Sequence, residues 1–217
     1  MSCWALVPVN ERAACKSRLA GQLSPAQRLA LVRLMLAQVV AALRESNLVD
    51  AIAFVSAERD TIPAEIPLLP DAGGGLNPAL EGARQGLIER GADALVVLPA
   101  DLPFVTGRDI DALVEAGRDA GVALATDHPG LGTNALWLPA RIPFRFQFGP
   151  GSPRRHLDEA QRLGLVAALV SSPGLAFDVD GPEDLESLLA SGDPRYLSLR
   201  DSSRDRQWSV RRQTRCG

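Results

Sequence analysis

Three aspartates stand where this chain could hold a metal ion. Asp101 follows the apolar run at 94–98, and Asp178 and Asp180 alternate in the segment FDVDGPEDL. Alternation in an extended segment puts Asp178 and Asp180 on one face. Magnesium prefers such oxygen ligands and usually keeps several waters while it bridges substrate phosphates. We therefore predict a Mg2+ site formed by Asp101 and Asp180, with the part played by Asp178 left open. Capping of the turns that follow is the alternative role for these aspartates.

A basic loop follows the first apolar run. The segment VPVNERAACKSRLAG carries Arg12, Lys16 and Arg18. Arginine binds phosphates through paired hydrogen bonds, and lysine binds them as a point charge. The segment contains neither the GxxxxGK loop nor the GxGxxG fingerprint of other phosphate-binding folds. We predict that it binds a polyphosphate, and a solvated basic loop is the alternative.

A glycine-rich loop occurs in the segment DAGGGLNPALEGA. Gly73, Gly74 and Gly75 have no side chains, so a ligand can approach the backbone closely. Bare amides here, with the side chain of Asn77, could read the hydrogen-bonding edge of a purine. Asn77 could also cap the helix that begins near Pro78. A flexible turn would explain the three glycines equally well.

Two further segments, GLGTNAL and FQFGPGSPRRHL, have the composition of an anion pocket. They contribute Thr133, Asn134, Gly149, Gly151 and Ser152. Helix amides together with a serine hydroxyl form a ready site for a phosphate or a carboxylate. An ordinary capped helix is the alternative. His156 is expected on the surface of that helix rather than as a catalytic base.

Alternating strands and helices must carry these loops. Runs of Val, Leu and Ala predict buried strands at 5–9, 51–55, 94–98, 122–125, 135–138 and 166–170. Helical spacing after Ser24 and Pro25 predicts a long helix. Further helices are predicted to begin near Asn77, at Thr106 with Asp109 in a capping box, and at Ser152 and Pro182. The alternation predicts an α/β domain with a mostly parallel central sheet, whose ligands lie beyond the carboxyl ends of the strands.

Composition narrows the class of protein. The chain has 217 residues, 46% of them hydrophobic, which fits one globular domain, predicted over residues 1–200. Lys and Arg total 23 against 26 Asp and Glu, a net charge of -3, so no basic field is available for a nucleic acid. No apolar run approaches the length of a membrane span, and the N-terminus lacks a basic leader. We expect a cytoplasmic protein that binds neither nucleic acid nor membrane.

Cysteines and the C-terminal segment complete the composition. Three cysteines and two histidines predict neither a disulfide framework nor a zinc site. Residues 201–217 are polar and arginine-rich and contain an isolated Trp208, which predicts a solvated tail. A subunit contact anchored by Trp208 is the alternative. A homodimer, formed through this segment or through an apolar helix face, is therefore open.

These features together indicate metal-dependent nucleotidyl transfer between two phosphate-bearing ligands. A phosphate nucleophile carries most of its second charge near neutral pH, because that pKa is about 6. A histidine base is then not required. Catalysis would come from positioning and electrostatics, with Lys16 and Arg18 neutralising charge at the α-phosphate as pyrophosphate leaves.

Six segments in order resemble successive motifs of the phospholactate guanylyltransferase family, over about residues 4–190. They are VPVNERAACKSRLAG, GGGLNPALEGA, VLPADLP, GTNAL, FGPGS and FDVDGPEDL. That family includes phosphoenolpyruvate guanylyltransferases and serves the biosynthesis of the deazaflavin coenzyme F-420. The resemblance implies a single-domain, three-layer nucleotidyltransferase fold of the Rossmann-like, glycosyltransferase-A type. It also implies transfer of GMP from GTP to the phosphate of a three-carbon acid, with release of pyrophosphate.

The resemblance assigns roles to individual residues. It makes Lys16, Arg18 and Asp101 catalytic, and it places Asp101 with Asp180 on magnesium. The nucleotide-binding set that it implies is Pro8, Val9, Lys16, Gly74, Gly75, Leu76, Asn77, Pro99 and Ala100. The acid-binding set is Thr133, Asn134, Gly149, Gly151 and Ser152.

Three departures from the family pattern concern the acceptor. The family usually has Lys where this chain has Asn10, an aromatic residue where it has Pro153, and Thr where it has Gly181. The acceptors of the family are 2-phospho-L-lactate, phosphoenolpyruvate and 3-phospho-D-glycerate. Because changes beside the acid pocket are where a shift in acceptor should appear, the departures favour 3-phospho-D-glycerate.

Two other functions are weighed against this one. A nucleotidyltransferase acting on a molybdopterin or a sugar phosphate usually opens with a glycine-rich AGG loop, which VPVNERAACK lacks. A nucleotide-binding regulator without turnover would not need Lys16, Asp101 and Asp180, and this chain retains all three.

Overall fold

One seven-stranded sheet forms the centre of the molecule. A computed structural model describes residues 1–9, 16–57, 62–71 and 73–199. The strands are β1 (Cys3–Pro8), β2 (Ala51–Ser56), β3 (Leu68–Pro70), β4 (Ala94–Val97), β5 (Gly121–Thr126), β6 (Thr133–Pro139) and β7 (Val166–Leu169). Their order is β3-β2-β1-β4-β6-β5-β7. Strand β6 is antiparallel to both of its neighbours, and the other pairs are parallel, which confirms the mostly parallel sheet.

Five of the α-helices in the described residues begin within one residue of a predicted start, and the short helix Pro173–Ala176 was not predicted. They are α1 (Pro25–Glu45), α2 (Leu76–Glu89), α3 (Gly107–Ala120), α4 (Ser152–Arg162), α5 (Pro173–Ala176) and α6 (Pro182–Ala190), with 3-10 helices at Ser17–Leu19 and Pro194–Leu199. Ser24 and Thr106 each close a capping box with the residue three positions later. Helix α2 begins at Leu76 after Gly75, whose φ of 97° is a conformation that glycine adopts without strain.

Two apolar layers sandwich the sheet. Alternate residues of each strand face opposite sides, so Ala5 and Val7 pack towards α1 and α3, whereas Leu6 packs towards α2 and α4. Cys3 is a free thiol buried in the first layer. This arrangement of helix, sheet and helix confirms the expected three-layer α/β fold.

Helix α1 corrects one expectation about apolar length. It is long and apolar enough by length and composition to cross a membrane, with a mean hydropathy of 1.5 over its 18-residue window. The expectation that no run approaches a membrane span was therefore wrong. In this fold its buried side chains lie in apolar clusters against the sheet and against α6. Such packing is typical of the core helix of a globular domain.

A third apolar cluster joins segments that are distant in the sequence. It contains Leu19 from the first 3-10 helix, Met35 from α1, Val179 before α6, and Tyr196 near the end of the described chain. Val179 precedes Asp180, and Leu19 lies one turn beyond Lys16. This cluster therefore holds Asp180 close to the lysine of the first loop. The predicted tail at 201–217 lies outside the described residues.

The strand order creates a cleft at one edge of the sheet. From β1 the chain continues to β2 and β3 on one side, and β4 then pairs with β1 on the other side. Ligands of open α/β sheets bind beyond the carboxyl ends of the strands at such a switch point. Because β6 is antiparallel to β4, its first residues, Thr133 and Asn134, reach this same edge.

Candidate active site

Two adjoining cavities open at the carboxyl edge of the sheet. Their volumes are about 360 Å³ and about 470 Å³. Both are lined by Pro8, Arg18, Leu76, Pro99, Asp101 and Asp180. The shared wall means that ligands in the two cavities would meet beside Asp101 and Asp180.

The first cavity collects much of the predicted nucleotide-binding set. Besides the shared residues, it is lined by Val9, Lys16, Ser17, Val32, Met35 and Ala100. Apolar side chains from α1 thus form one wall, and the basic loop forms another. Arg12 and Asn10 lie outside the described residues.

The glycine loop lies beside these cavities rather than in their walls. Gly73, Gly74 and Gly75 are exposed and have φ values of 84°, 89° and 97°. A non-glycine residue would be strained at each position. The loop therefore needs its glycines for its backbone path, and the Gly73 amide donates to Asp71 Oδ1 at 2.8 Å.

Asn77 has a different partner from the one expected. Its Nδ2 donates to the Phe148 carbonyl at 3.1 Å, and its Oδ1 accepts from the Phe148 amide at 2.8 Å. The expectation that Asn77 caps α2 was wrong, because Gly75 occupies the cap position and no side chain caps that end. Through these two bonds Asn77 ties the start of α2 to the segment before α4.

Lys16 links the two carboxylates of the shared wall. Its Nζ lies 2.6 Å from Asp101 Oδ2 and 2.9 Å from Asp180 Oδ1, and its side chain is 11% exposed. Burial alone would lower the pKa of Lys16, but the charges and hydrogen bonds of the two carboxylates outweigh burial and raise it. Lys16 thus stays a cation at the junction of the cavities.

The backbone of Lys16 is strained. Its φ is 53°, and among the residues that the structure describes it is the one non-glycine residue with positive φ. Such strain is of the order of 1–3 kcal/mol and persists where the surroundings over-determine it. The buried Leu19 in the third apolar cluster and the two carboxylates supply those surroundings.

The donor set at this wall suits magnesium. Asp101 Oδ1 is buried and has no hydrogen-bond partner, and an ammonium group already lies between the two carboxylates. Within the described ranges, no three His, Cys, Asp or Glu side chains form a cluster that could hold a metal. Magnesium is usually bound by one or two carboxylates plus substrate phosphates and waters. Asp101 and Asp180 therefore fit an ion that is completed by the substrate.

Asp178 joins the same acidic wall in the second cavity. Asn134 Nδ2 donates to its Oδ1 at 3.2 Å, and both residues line that cavity. Burial raises the pKa of Asp178 to about 6, with a smaller contribution from the charges of Asp101 and Asp180, while the hydrogen bond from Asn134 opposes the rise. Asn134 therefore holds a carboxylate rather than presenting its amide freely to a ligand.

The second cavity includes part of the predicted acid-binding set. Thr133, Asn134 and Gly149 line it. Phe148, Pro150 and Asp127 also line it, and none of these three was predicted from the sequence. Asp127 directly follows β5. Its position at the end of a strand is the sequence pattern from which it could have been predicted.

Gly151 and Ser152 lie behind the wall rather than in it. The Gly151 amide donates to the Leu131 carbonyl at 2.7 Å, and the Ser152 amide donates to the Gly149 carbonyl at 3.0 Å. The Ser152 side chain is fully buried and donates to Thr133 Oγ1 at 2.9 Å. The expected anion site made of these two amides and the serine hydroxyl is therefore wrong for this structure, because all three donors are already used.

His156 is a core residue, so its expected place on the helix surface was wrong. It is fully buried, and its ring lies 4.9 Å from that of Phe148 and 5.8 Å from that of Phe144. Burial, followed by the charge of Arg155, lowers the pKa of His156 to about 4. The burial of His156 could have been predicted from its position four residues from both Ser152 and Ala160. Residues four apart on a helix share a face, and both of these residues are buried.

Two of the three departures from the family pattern, Pro153 and Gly181, lie within the described residues. Pro153 is buried in the first turn of α4 and lines neither cavity. The Gly181 amide donates to Asp184 Oδ2 at 2.7 Å, and a side chain at Gly181 would meet that oxygen at an ordinary distance of 3.6 Å. Nothing in the structure explains the glycine.

Comparison with known proteins agrees with the motif resemblance. Residues 3–203 match the family model described as guanylyl transferase CofC like. A phosphoenolpyruvate guanylyltransferase from Rubrobacter xylanophilus is 43% identical over 208 residues, covering 92% of this chain and 100% of the relative. Another, from Sphaerobacter thermophilus, is 41% identical over 87% of this chain and 93% of the relative.

Solved structures support the same fold. A protein described as a nucleotide-diphospho-sugar transferase from Desulfovibrio desulfuricans superposes with a TM-score of 0.71 at 16% identity, covering 98% of each chain. The CMP:2-keto-3-deoxy-manno-octonic acid synthetase superposes with a TM-score of 0.56 at 14% identity, covering 88% of this chain and 98% of that one. These likenesses establish the nucleotidyltransferase-like fold, and the family match establishes that the chain belongs to the CofC-like guanylyltransferases.

Proposed function

We propose that this chain transfers GMP from GTP to the phosphate of phosphoenolpyruvate, with Mg2+ and with release of pyrophosphate, in coenzyme F-420 biosynthesis. Family membership makes it a guanylyltransferase that acts on a phosphorylated acid. The observation that carries the proposal is the position of Lys16 between Asp101 and Asp180, where two cavities meet. In our proposal the first cavity takes the nucleotide and the second takes the acid.

The choice of acceptor rests on the relatives. The preference for 3-phospho-D-glycerate depended on Pro153 and Asn10. Pro153 lines neither cavity, and Asn10 lies outside the described residues, so that preference has lost its structural support. Relatives at 41–43% identity are named phosphoenolpyruvate guanylyltransferases. Phosphoenolpyruvate is therefore the favoured acceptor, and 3-phospho-D-glycerate and 2-phospho-L-lactate are the alternatives to test.

The reaction joins two phosphates. An oxygen of the acid's phosphate attacks the α-phosphorus of GTP, and a new phosphorus–oxygen bond forms. The bond between the α-phosphorus and the oxygen that bridges to the β-phosphate breaks, and pyrophosphate leaves with that electron pair. The attacking phosphate is mostly ionised at neutral pH, because its second pKa is about 6. No protein base is needed, which agrees with the burial of His156.

Positive charge at the shared wall serves this step. Lys16 borders the first cavity, and the exposed Arg18 lines both. In our proposal they neutralise charge on the GTP phosphates and on the leaving pyrophosphate, as preorganised electrostatic groups do. When bound, magnesium would be held by Asp101 and Asp180 and would withdraw charge from phosphate oxygens.

We base the proposed location on composition. The net charge of -3 favours a protein that does not bind nucleic acid, and we propose the cytoplasm as its compartment. A homodimer remains our untested alternative to a monomer. Light scattering behind size-exclusion chromatography would decide between the two.

The first experiment measures pyrophosphate release from GTP with each of the three acids in parallel, with ATP and CTP as nucleotide controls. We expect release with GTP and phosphoenolpyruvate, and mass spectrometry should find the mixed diphosphate diester. A clear preference for 3-phospho-D-glycerate would replace the proposed acceptor. Release with no acid would refute the proposed function.

Asp101→Asn tests the metal assignment. The amide keeps the shape of the side chain but removes a charged magnesium ligand, so we expect turnover to fall by about 100-fold or more. Asp158→Asn is the matched control, because Asp158 is exposed and pairs with Arg154 on the surface of α4. Equal turnover in the two variants, with unchanged circular dichroism, would refute the role of Asp101.

A further inference from the structure

A chain of buried hydrogen bonds runs behind the wall of the second cavity. Ser152 Oγ donates to Thr133 Oγ1 at 2.9 Å, and Thr133 Oγ1 lies 3.1 Å from His156 Nδ1. The Gln147 amide donates to His156 Nε2 at 3.0 Å. Ser152 and His156 are fully buried, whereas Thr133 is 8% exposed and lines the cavity. The chain of hydrogen bonds therefore ends at a residue that lines the second cavity.

The hydrogen bond from Gln147 fixes the proton on His156. A backbone N–H can only donate, so Nε2 must accept and carries no proton. A neutral imidazole holds its single proton on the other nitrogen, so Nδ1–H donates to Thr133 Oγ1. Burial keeps the ring neutral near pH 7, since it lowers the pKa of His156 to about 4.

Two donors then occupy Thr133 Oγ1. A hydroxyl has two acceptor positions and one proton, and His156 and Ser152 fill both acceptor positions. The proton of Thr133 must point elsewhere, and the second cavity, which Thr133 lines, could supply its acceptor. In the reverse arrangement Thr133 would donate to Ser152, whose own proton would have no acceptor among the residues described. An unsatisfied buried group of that kind costs about 1–3 kcal/mol.

We propose that His156 and Ser152 are positioning residues that make the hydroxyl of Thr133 an obligate donor to the phosphorylated acid. The inference rests on the proposed function and adds the reason why Ser152 matters although it faces no cavity. A hydroxyl that can only donate binds a carboxylate or phosphate oxygen. It cannot accept a hydrogen bond from an O–H or N–H group of a ligand. Thr133 would therefore select for an anionic group at this point of the cavity.

Two variants of His156 test the roles of its two ring nitrogens separately. His156→Asn places an amide nitrogen close to the position of Nδ1 and keeps a donor for Thr133, but it leaves the Gln147 amide without its acceptor. His156→Gln reaches the position of Nε2 and keeps that acceptor, but it removes the donor. We expect the KM for the acid to rise about tenfold in His156→Gln and less than about threefold in His156→Asn. The KM for GTP should change in neither variant.

The same substitution in a Thr133→Val protein tests whether His156 acts through the hydroxyl of Thr133. With the hydroxyl gone, His156→Gln should change the KM for the acid by less than about twofold. A merely structural role of His156 would give equal effects in the Asn and Gln variants, or an undiminished effect of His156→Gln in the Thr133→Val protein. Either result would overturn the inference.

An independent measurement does not need catalysis. The chain has two histidines, so long-range 1H–15N correlation spectra of 15N-histidine-labelled protein can be assigned with one variant. We expect the Nδ1–H tautomer for His156 at pH 7, and an Nε2–H tautomer or a doubly protonated ring would refute the inference. Because this readout is separate from turnover, failure of the proposed function and failure of the inference are distinguishable.

Discussion

At the scale of single residues, the site is built from charges that neighbours hold in a fixed state. Lys16 has a raised pKa because two carboxylates outweigh its burial, and Asp178 has a raised pKa because it is buried beside other carboxylates. His156 has a lowered pKa because it is buried in the apolar environment of two phenylalanine rings. The same desolvation thus acts in opposite directions on an acid and a base, since it always disfavours the charged form.

The neutral state of His156 predicts a pH dependence of stability. Its pKa is about 4 when folded, against 6.5 as the ordinary value, so the unfolded chain binds more protons between these values. The stabilising contribution is complete above pH 6.5 and is lost as the pH falls towards 4. At pH 4.5 the loss should be about 2.5 kcal/mol.

Asp178 acts in the opposite direction in the same window, because its folded pKa is raised to about 6. The contribution of His156 is therefore measured as the difference between the wild type and a variant that lacks this histidine. Urea unfolding of the wild-type chain and of His156→Asn at pH 7 and pH 4.5 should show that the wild type loses about 2.5 kcal/mol more. Equal losses in the two proteins would contradict a buried neutral histidine.

At the scale of elements, close approach of helices to the sheet positions the strand ends. Gly117 on α3 faces Trp137 on β6, and a Cβ at Gly117 would lie 2.2 Å from the indole ring. Trp137 is 2% exposed, so the ring is enclosed by the core. The missing side chain lets α3 lie directly on β6, the strand whose first residue is Thr133.

Substitution of this glycine should therefore be destabilising. We expect Gly117→Ala to lower the free energy of unfolding by about 1–3 kcal/mol through overpacking. Gly82→Ala is the matched control on α2, because a Cβ at Gly82 would meet no atom within 4 Å, and it should gain about 0.5–1 kcal/mol from helix propensity. Chemical denaturation measures both, and equal stability of the two variants would contradict the packing argument.

At the scale of the whole molecule, the site joins the two ends of the described chain. Lys16 comes from the first loop and Asp180 from the segment before α6, 164 positions later. The third apolar cluster packs the same two segments together. A ligand that bridges Lys16 and Asp180 would therefore stabilise the fold as a unit.

Ligand binding should raise the melting temperature. At a concentration of GTP 100 times its Kd, the added stability is about 2.7 kcal/mol, which corresponds to a shift of about 5–10 °C for a domain of this size. In our proposal the shift requires Mg2+ and is mostly lost with EDTA and in Asp101→Asn. Differential scanning fluorimetry tests this, and an equal shift with and without the metal would remove magnesium from the nucleotide site.

The sequence by itself determined the features that depend on neighbours in the chain. Capping at Ser24 and Thr106 uses residues three positions away. The strands can be recognised as apolar runs because both faces of the sheet are buried. Asp101 was found for this reason, as the first charge after such a run. Strand β3 was missed because three residues ending in proline form no such run.

Only the tertiary structure decided the features that depend on distant partners. The reversed direction of β6 brings Thr133 to the ligand edge, and Asn77 finds its partner in Phe148, 71 positions away. The third cluster packs the segments that carry Lys16 and Asp180 against each other, and the Ser152 hydroxyl points inward to Thr133. A local pattern shows which chemical groups are present, but burial and hydrogen-bond partners are set by packing between segments that are remote in the chain.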